Sequence, residues 1–279
     1  MSAQRLKVGI VAPASRIGQD VSARVSALAG ELYGGRVELV FHPQCHLSHG
    51  HFAGEDAARA EAFLDVANDV SFDALWVARG GYGSARIVEH VLPRLGVAAQ
   101  HKTYLGYSDA GFLLAALYAQ RIGHAVHGPM PSDIVRDGGE AAVARTLAWL
   151  SDKDPNALEP SVESARPAAA FNLTILSHLL GTPYLPDLSD HSLMIEEVSE
   201  HMYRIDRAMF HVTHAPALRS IAGIRLGRCS AIPPNDPEFG QNEEDVVQHW
   251  CATSGIAYLG RADIGHDSAN KVVPFGRSG

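Results

Sequence analysis

The first half of the chain alternates short apolar runs with segments of helical periodicity, and this alternation restricts the fold more than any other feature. The run "LKVGIVAPAS" is continuously apolar and ends in small polar residues, which is typical of a strand buried on both faces. Similar runs follow, separated by segments with apolar positions near helical spacing: "RVELVFHP", "FDALWVARGG", "KTYLGYSD" and "HAVHGPM". Repeated strand–helix units predict a parallel sheet with helices on both faces. We therefore expect an α/β fold with a flavodoxin-like parallel sheet in residues 1–150.

The alternation stops in the middle of the chain. The stretch "PNALEPSVESARP", from Pro155 to Pro167, carries three prolines among serines and acidic residues, a composition typical of a linker. Beyond it the units are shorter, with helical patterns such as "NLTILSHLLG" and apolar runs such as "SLMIEEV". We therefore predict a first domain over residues 1–150, a linker over 151–166 and a smaller α/β domain over 167–279.

Composition and charge restrict the partners of the protein. The formal net charge is −8 with neutral histidines and no Lys/Arg-rich run is present, whereas phosphate binding needs clustered cations. Neither nucleic acid nor a membrane is therefore an expected partner. The three cysteines form no CxxC pair, and no apolar run approaches the ~20 residues that cross a bilayer. The N-terminus lacks the features of a secretory signal, so we expect a cytoplasmic protein that acts on a small molecule.

A glycine-rich loop, "RGGYGSAR", follows the third apolar run. Its three glycines allow a close backbone approach or a positive φ, and its N–H groups, with the start of the next helix, favour a negative oxygen. The nucleotide-binding patterns GxGxxG and GxxxxGKS/T are both absent from the loop. We therefore favour an oxyanion-hole donor over a nucleotide site, with a plain strand–helix turn as the alternative.

The stretch "YLGYSDAGFL" places Ser108 between an apolar strand pattern and an apolar helix pattern. Within it, "GYSDA" resembles the nucleophile elbow G-x-S-x-G, with Ala110 in the position of the last glycine. A serine at such a turn is a candidate nucleophile, and an ordinary helix N-cap is the alternative interpretation. Because adjacent parallel strands end at the same edge of a sheet, we expect the glycine loop and this turn to lie together. Asp109 would then offer its N–H to an oxyanion and its carboxylate to cap the helix.

The context of the fifteen histidines separates the candidates for a catalytic base. Four of them share "FHPQCHLSHGHF", but a zinc site would want regular spacing on ordered elements, so we favour solvated loop side chains there. These four are His42, His46, His49 and His51. His124 and His127 lie on a short strand, where burial in the core is expected over a role in supporting the site. His266 follows an apolar run directly, between a glycine and small polar residues, which is where a side chain can reach a cleft.

The stretch "LMIEEVSE" offers an acidic partner for the histidine. Strand alternation sends Glu196 and Glu197 to opposite faces, so if one points to the cleft the other is expected to be solvated. Paired acids near a strand end are otherwise ordinary surface charge. The chain order Ser…Glu…His is one that serine hydrolases use.

Taken together, these stretches resemble the L,D-carboxypeptidase family, serine peptidases that trim murein tetrapeptides and that include the microcin C immunity peptidases. The likeness extends over nearly the whole chain and lies in the order and spacing of its motifs. "VGIVAPAS" is similar to the family's first strand, "FAGEDAARAEAFLDVANDVSFDALWVARGGYGSARI" to its next signature, and "LGYSD" with "HGPM" to its nucleophile region. Its C-terminal blocks resemble "LTILSHLLGTPY", "LMIEEVSEHMYRIDR" and "IGHDSANKVVPFG". "AFNL" departs from the family's common Gly-Gly-Asn-Leu in the two glycines.

The resemblance implies a serine L,D-carboxypeptidase that removes the terminal D-Ala of murein tetrapeptides in the cytoplasmic recycling of cell-wall peptides. It implies Ser108 as nucleophile, His266 as base and Glu196 as the acid that orients the base, assembled across two domains. The oxyanion donors would be the N–H groups of Gly81 and Asp109. It further implies a homodimer, with no metal or other cofactor.

The terminal carboxylate of such a substrate needs a cation or a helix N-terminus near the scissile bond. The glycine loop offers Arg79, Arg86 and a helix start, although either arginine could instead pair with a surface acid. Three alternatives stay open: an acyl-adenylate hydrolase of the microcin C type, an α/β-hydrolase esterase, and a non-catalytic module that binds a sugar or nucleotide through an anion. The esterase would want its nucleophile after the fifth strand and an HGGG-type loop, whereas "RGGYG" here comes just before the nucleophile strand.

Overall fold

The computed structural model describes residues 5–162 and 166–277, along which strands and helices alternate. The strands are β1 (Leu6–Val11), β2 (Val37–Phe41), β3 (Ala74–Val77), β4 (Thr103–Gly106), β5 (His124–His127), β6 (Ala168–Asn172), β7 (Ser192–Val198), β8 (Gly223–Ser230), β9 (Tyr258–Arg261) and β10 (Val273–Pro274). The helices are α1 (Gln19–Tyr33), α2 (Asp56–Asn68), α3 (Ser84–Val91), α4 (Gly111–Ala119), α5 (Gly139–Asp152), α6 (Leu173–Leu179), α7 (Met202–His214) and α8 (Glu243–Ser254). Among the residues described, no helix combines the length and the apolar character needed to cross a membrane.

The first sheet has six strands in the order β10-β5-β4-β3-β1-β2. The strands β1 to β5 are parallel, and their spatial order 2-1-3-4-5 is that of a flavodoxin-like, doubly wound fold. Leu75, Trp76 and Leu105 in its central strands are completely buried, as expected for strands covered on both faces. The α/β fold with a flavodoxin-like N-terminal sheet is therefore confirmed.

A second, separate sheet holds four parallel strands in the order β6-β7-β8-β9, which confirms the smaller α/β unit in the second half of the chain. The short strand β10 nevertheless returns to the first sheet, where Val273 pairs antiparallel with His127. Just after it, the backbones of Gly276 and Ala168 exchange two hydrogen bonds of 2.9 Å, which join the start of β6 to the edge of the first sheet. The boundaries 1–150, 151–166 and 167–279 stay predictions, and residues 1–4, 163–165 and 278–279 lie outside the described residues.

The helix that follows Ser108 packs between the two halves of the protein. α4 is apolar along nearly its whole length, "GFLLAALYA", and a helix of this kind is buried on all sides. One side of α4 lies on the first sheet. At its first turn, a Cβ on Gly111 would come within 3.0 Å of Ile175 in α6 and 3.6 Å of Phe171 in β6. This close approach positions Ser108 directly beside the second half of the chain.

Glu197 ties β7 to the start of α6. Its buried carboxylate accepts hydrogen bonds from Nδ2 of Asn172 at 2.7 Å and from the N–H and Oγ1 of Thr174 at 2.9 and 2.7 Å. Burial raises the pKa of Glu197, although these donors favour the ionised form. The expectation that one glutamate of the pair is solvated is therefore wrong, because Glu197 finds its partners inside the protein. Asn172, the residue retained in "AFNL", also caps α6.

Glu197→Ala removes the acceptor of several buried donors. Leaving buried donors unsatisfied costs about 1–3 kcal/mol, so we expect the variant to lose about 2–4 kcal/mol of unfolding free energy. Urea denaturation at pH 7 measures this loss. Glu200→Ala is the control, because Glu200, just before α7, forms a partly exposed ion pair with Arg204 that should contribute less than about 1 kcal/mol. Equal losses in the two variants would contradict the structural role of Glu197.

Candidate active site

Ser108 lies at the carboxyl end of β4, in a turn that leads directly into α4. Its φ of 61° is in the left-handed region, which residues other than glycine adopt mainly at turns or under strain. The turn is tight, since a Cβ on Gly106 would lie 3.0 Å from the Cβ atoms of Ala110 and Val77. Ser108 does not cap α4, contrary to the alternative interpretation. Its Oγ instead lies 3.0 Å from Nε2 of His266.

His266 joins Ser108 to Glu196. Its Nδ1 lies 2.6 Å from Oε2 of Glu196, while its Nε2 faces the serine hydroxyl. Because a carboxylate can only accept, Nδ1 carries the proton and Nε2 is left to accept from Ser108. The three side chains come from the end of β4, from β7 and from the loop after β9, so both sheets contribute to one site. Glu196 is fully buried, and 10% of the His266 side chain is exposed.

Glu196 is buried at an irregularity of its strand. The register between β7 and β8 shifts between Ile195 and Glu197, so regular pairing is interrupted at the residue between them. Irregularities of this kind re-aim side chains and are common beside active sites. Oε1 of Glu196 has no hydrogen-bond partner among the described residues, which leaves His266 as the group that pairs with this buried carboxylate.

Burial and the neighbouring carboxylate control the protonation of His266. Burial lowers the pKa of this imidazole, but the negative charge of Glu196 and its hydrogen bond outweigh burial and raise the pKa above the ordinary value. A histidine of raised pKa takes a proton from a serine hydroxyl more readily than an ordinary one does. The site can therefore activate a hydroxyl nucleophile.

Tyr107, which no sequence motif singled out, lies against the imidazole. Its ring centroid is 4.8 Å from that of His266, and its buried hydroxyl donates a 2.9 Å hydrogen bond to Asp133. Asp133 also accepts from Nε of Arg136 at 2.9 Å and from the N–H of Met130 at 2.8 Å. Burial, followed by the charge of Asp133, raises the pKa of Tyr107 well above its ordinary value, so the phenol is neutral. The available sequence signal was its position directly before Ser108.

A second set of contacts holds the loop that carries His266. Oδ1 of Asn270 accepts hydrogen bonds from the N–H of Gly265 at 3.2 Å and from Nε2 of His127 at 3.1 Å. Arg145 in α5 donates to the backbone carbonyl of Asn270 at 2.8 Å. The loop is therefore attached to β5 and α5 of the first half of the chain.

The two histidines of β5 differ in burial. The expected core burial is confirmed for His127, which is 1% exposed. It is wrong for His124, which lies at the exposed start of the strand. Burial lowers the pKa of His127 to about 4, so its imidazole is neutral at pH 7 and donates to Asn270.

The glycine loop packs directly against Ser108. A Cβ on Gly80 would lie 2.9 Å from both Cβ and Oγ of Ser108, and Gly81 has a φ of 112°, so both positions require glycine. Asp109 fastens the loop to the turn, because its buried Oδ2 accepts a 2.8 Å hydrogen bond from the N–H of Ser84. The helix that Asp109 caps is therefore α3, which follows the glycine loop. The N–H groups of Gly81 and Asp109 belong to these two joined segments.

Arg79 and Arg86 have different surroundings. Nε of Arg86 lies 2.8 Å from Oδ2 of Asp56, and its guanidinium lies over the ring of Phe52, so its charge is already paired. Arg79 donates from Nη1 to the backbone carbonyl of Arg16 at 3.2 Å and lines a cavity at the sheet edge.

The loop histidines have separate local partners. His42 lies 3.4 Å from a carboxylate oxygen of Asp65, and Nδ1 of His46 lies 3.2 Å from the carbonyl oxygen of Ile17. In residues 5–162 and 166–277, no group of three or more His, Cys, Asp or Glu side chains is arranged to hold a metal ion.

The chain matches two family models, one in each half. The LD-carboxypeptidase N-terminal domain matches residues 8–128, and the LD-carboxypeptidase C-terminal domain matches residues 169–279. A putative carboxypeptidase of Synechocystis sp. is 31% identical over 247 residues, which cover 86% of this chain and 79% of the relative. The murein tetrapeptide carboxypeptidase of Pseudomonas aeruginosa is 26% identical over 290 residues, covering 98% of this chain and 92% of the relative.

Solved structures share the fold. The muramoyltetrapeptide carboxypeptidase from Oxalobacter formigenes matches with a TM-score of 0.80 at 22% identity, over 97% of this chain and 92% of that chain. The microcin C7 self-immunity protein MccF matches with a TM-score of 0.80 at 16% identity, over 98% of this chain and 92% of that chain. At these identities the likeness is one of fold.

His127 should make the fold sensitive to acid. An imidazole with a pKa of about 4 when folded and 6.5 when unfolded binds more protons in the unfolded state, so it destabilises the fold as pH falls from 6.5 towards 4. We expect this histidine to remove about 2–3 kcal/mol of unfolding free energy between pH 7 and about pH 4.5. The raised pKa of His266 acts in the opposite direction, because its contribution to stability is present below the unfolded pKa and is lost as pH rises.

Urea denaturation of wild type and His127→Gln at the two pH values separates these effects, because both proteins retain His266. The variant should lose most of the acid sensitivity while keeping a donor towards Asn270. His124→Gln, at an exposed position of the same strand, should behave like wild type. An unchanged pH dependence in His127→Gln would contradict the assignment.

Proposed function

The chain belongs to the LD-carboxypeptidase family and is a serine carboxypeptidase, and on this premise we propose that a Ser108–His266–Glu196 triad removes the terminal D-Ala of murein tetrapeptides. The observation that carries the proposal is the unbroken pair of contacts through the imidazole. Ser108 Oγ lies 3.0 Å from Nε2, and Glu196 Oε2 lies 2.6 Å from Nδ1. A nucleophile, a base and an acid that orients the base are the parts that acyl transfer needs.

In the first half of the proposed reaction, the hydroxyl of Ser108 attacks the carbonyl carbon of the L,D-peptide bond. Nε2 of His266 takes the hydroxyl proton, and Glu196 stabilises the imidazolium that forms. The tetrahedral intermediate then collapses to an acyl-enzyme, while His266 passes the proton to the departing amine of D-Ala. The raised pKa of His266 suits this acceptance of a proton from the serine.

In the second half, water hydrolyses the acyl-enzyme. His266 takes a proton from the attacking water, and the same proton restores the hydroxyl of Ser108 when the intermediate collapses. The products are the shortened peptide, with a new carboxylate, and the free enzyme.

The N–H groups of Gly81 and Asp109 are the proposed oxyanion donors. Their support is the close packing of Gly80 on Ser108 and the capping of α3 by the Asp109 carboxylate, which holds the glycine loop against the turn. Donors held in place before the reaction need little reorganisation, and a single donor of this kind is typically worth about 3 kcal/mol of transition-state stabilisation.

A murein peptide is the proposed substrate because relatives of similar length carry that activity in their names. A role in recycling cell-wall peptides, a cytoplasmic location and a homodimer are implied by the family resemblance and stay predictions. Membership of the LD-carboxypeptidase family argues against the esterase and the non-catalytic module. The position of Ser108 after β4 also differs from the fifth-strand position that the esterase would need. The acyl-adenylate hydrolase stays the alternative within the family.

Incubation of the purified protein with L-Ala-γ-D-Glu-meso-diaminopimelate-D-Ala tests the substrate. We expect free D-Ala by mass spectrometry, with none above background from Ser108→Ala. A peptidyl-adenylate is assayed in parallel. Cleavage of the adenylate without release of D-Ala would favour the alternative and overturn the murein substrate.

Removing either end of the proton relay should disable the enzyme. We expect Ser108→Ala and His266→Ala each to lower kcat by roughly 10⁴-fold or more, with the double variant hardly slower than either, because the members act as a unit. Glu196→Ala should cost less. Single-turnover kinetics measure the rates, and thermal unfolding checks that each variant folds. Ser22→Ala, on the surface of α1, is the matched control. Multiplying losses in the double variant would show that the residues act separately.

The charge of Glu196 should set the acidic limb of the pH profile. Activity needs neutral His266, so kcat/KM should rise with pH through a pKa above the ordinary histidine value. Glu196→Gln removes the charge that stabilises the imidazolium, so the pKa of His266 should fall and the limb should move to lower pH while the plateau rate drops. Glu200→Gln, which changes a partly exposed carboxylate paired with Arg204, should leave the acidic limb in place. If Glu196→Gln leaves the acidic limb of the kcat/KM profile at the same pH, the proposed effect of the Glu196 charge on the pKa of His266 is contradicted.

A further inference from the structure

A small cavity of about 230 Å³ opens at the carboxyl edge of the first sheet. Its walls come from the segments that follow three parallel strands, β1, β3 and β5. The lining residues are Ile17, Gly18, Val21, Arg79, Ser132, Asp133, Val135 and Arg136. This edge is where open α/β sheets bind ligands, and the volume suits a single small residue rather than a long peptide.

The cavity carries an excess of positive charge. Arg79 and Arg136 both line it, and Asp133 is its one acidic lining residue. Asp133 is already occupied, because it accepts hydrogen bonds from Tyr107, Arg136 and the N–H of Met130. Arg136 uses Nε for that contact, and 41% of its side chain is exposed. The guanidinium is therefore accessible to a ligand that only accepts hydrogen bonds.

Two of the lining residues, Arg79 and Arg136, are connected to the proposed triad by different routes. Arg79 directly precedes Gly80, whose backbone packs on Ser108. Arg136 donates a hydrogen bond to Asp133, which also accepts one from Tyr107. The ring of Tyr107 in turn lies against His266, the proposed base. The charge of Arg136 also reaches His266, whose pKa it lowers against the larger effect of Glu196.

The position of the base identifies which part of the substrate reaches the cavity. His266 must deliver a proton to the leaving amine, so the leaving residue lies on the imidazole side of Ser108. A carboxypeptidase releases a residue that ends in a carboxylate, and two guanidinium groups are well suited to such an anion.

We infer that Arg79 and Arg136 together bind the terminal carboxylate of the leaving D-amino acid, with the apolar side chains of the cavity around its methyl group. The inference rests on the proposed carboxypeptidase reaction and assigns its leaving-group subsite. Arg86, already paired with Asp56, has no part in it. The subsite makes the enzyme selective for a free C-terminus, because an amide brings no negative charge to the two arginines.

Two matched substrates test the subsite: the murein tetrapeptide with a free terminal D-Ala, and the same peptide ending in D-alaninamide. Wild type should cleave the free acid with a kcat/KM at least about tenfold higher. Arg136→Gln and Arg79→Gln should each lower kcat/KM for the acid by about tenfold or more, mainly through KM, and lower kcat/KM for the amide by a much smaller factor. Arg24→Gln is the control, since Arg24 donates to Ile134 close by but does not line the cavity. Rates are compared on the pH plateau, where His266 is neutral.

A merely structural role for Arg136 predicts a different result. If Arg136→Gln lowers the rates for acid and amide by the same factor, the arginine acts through Asp133 and Tyr107, and the inference is wrong. Equal cleavage of acid and amide by wild type would overturn it as well.

A binding measurement separates this inference from the proposed function. N-acetyl-D-alanine and N-acetyl-D-alaninamide are titrated into the Ser108→Ala protein while the arginine Nε resonances are followed by NMR. The acid should shift the resonances of Arg79 and Arg136 and bind more tightly than the amide, whether or not the murein peptide is a substrate. Absence of these shifts, in a protein that does release D-Ala, would overturn the subsite and leave the proposed function intact.

Discussion

The hydrogen bond between Glu196 and His266 is the interaction on which the geometry of the cleft depends. A carboxylate that is completely buried is costly unless a partner compensates it, and the described residues offer Glu196 only the imidazole. If the loop after β9 moved away from β7, the buried carboxylate of Glu196 would lose its partner. Once the loop is held, Nε2 of His266 faces Ser108 at 3.0 Å, and the two sheets are joined at the point where chemistry would occur.

The surrounding packing fixes the geometry of the hydrogen bond between Glu196 and His266. α4 presses its first turn on α6, β10 pairs with β5, and Asn270 with Arg145 attaches the histidine loop to the first half of the chain. Each of these contacts joins a segment of the first half of the chain to a segment of the second half. Tyr107 then fills the space beside the imidazole and limits its rotation.

The backbone around Ser108 is held in place by local constraints. Gly80 must lack a side chain because Ser108 occupies that space, and Ser108 is held in a left-handed conformation. Asp109 fastens the start of α3 to the same turn. Amide groups fixed in this way act as permanent dipoles, which is the arrangement that stabilises a developing oxyanion most effectively. The cavity lined by Arg79 and Arg136 is the place where we propose that a terminal carboxylate binds.

Local pattern was enough to predict the α/β class, the parallel strands of the first half and the turn that carries Ser108. Periodicity and turn residues act over a few positions, so they can be read along the chain. The choice of Glu196 and His266 needed the family resemblance, because fifteen histidines and several acids offer similar local contexts. The burial of Glu197, the contact of Tyr107 with the imidazole and the meeting of Arg79 and Arg136 at one cavity were decided by tertiary structure. Ser108 and His266 are 158 positions apart, and no local rule relates residues whose contact is created by two sheets packing together.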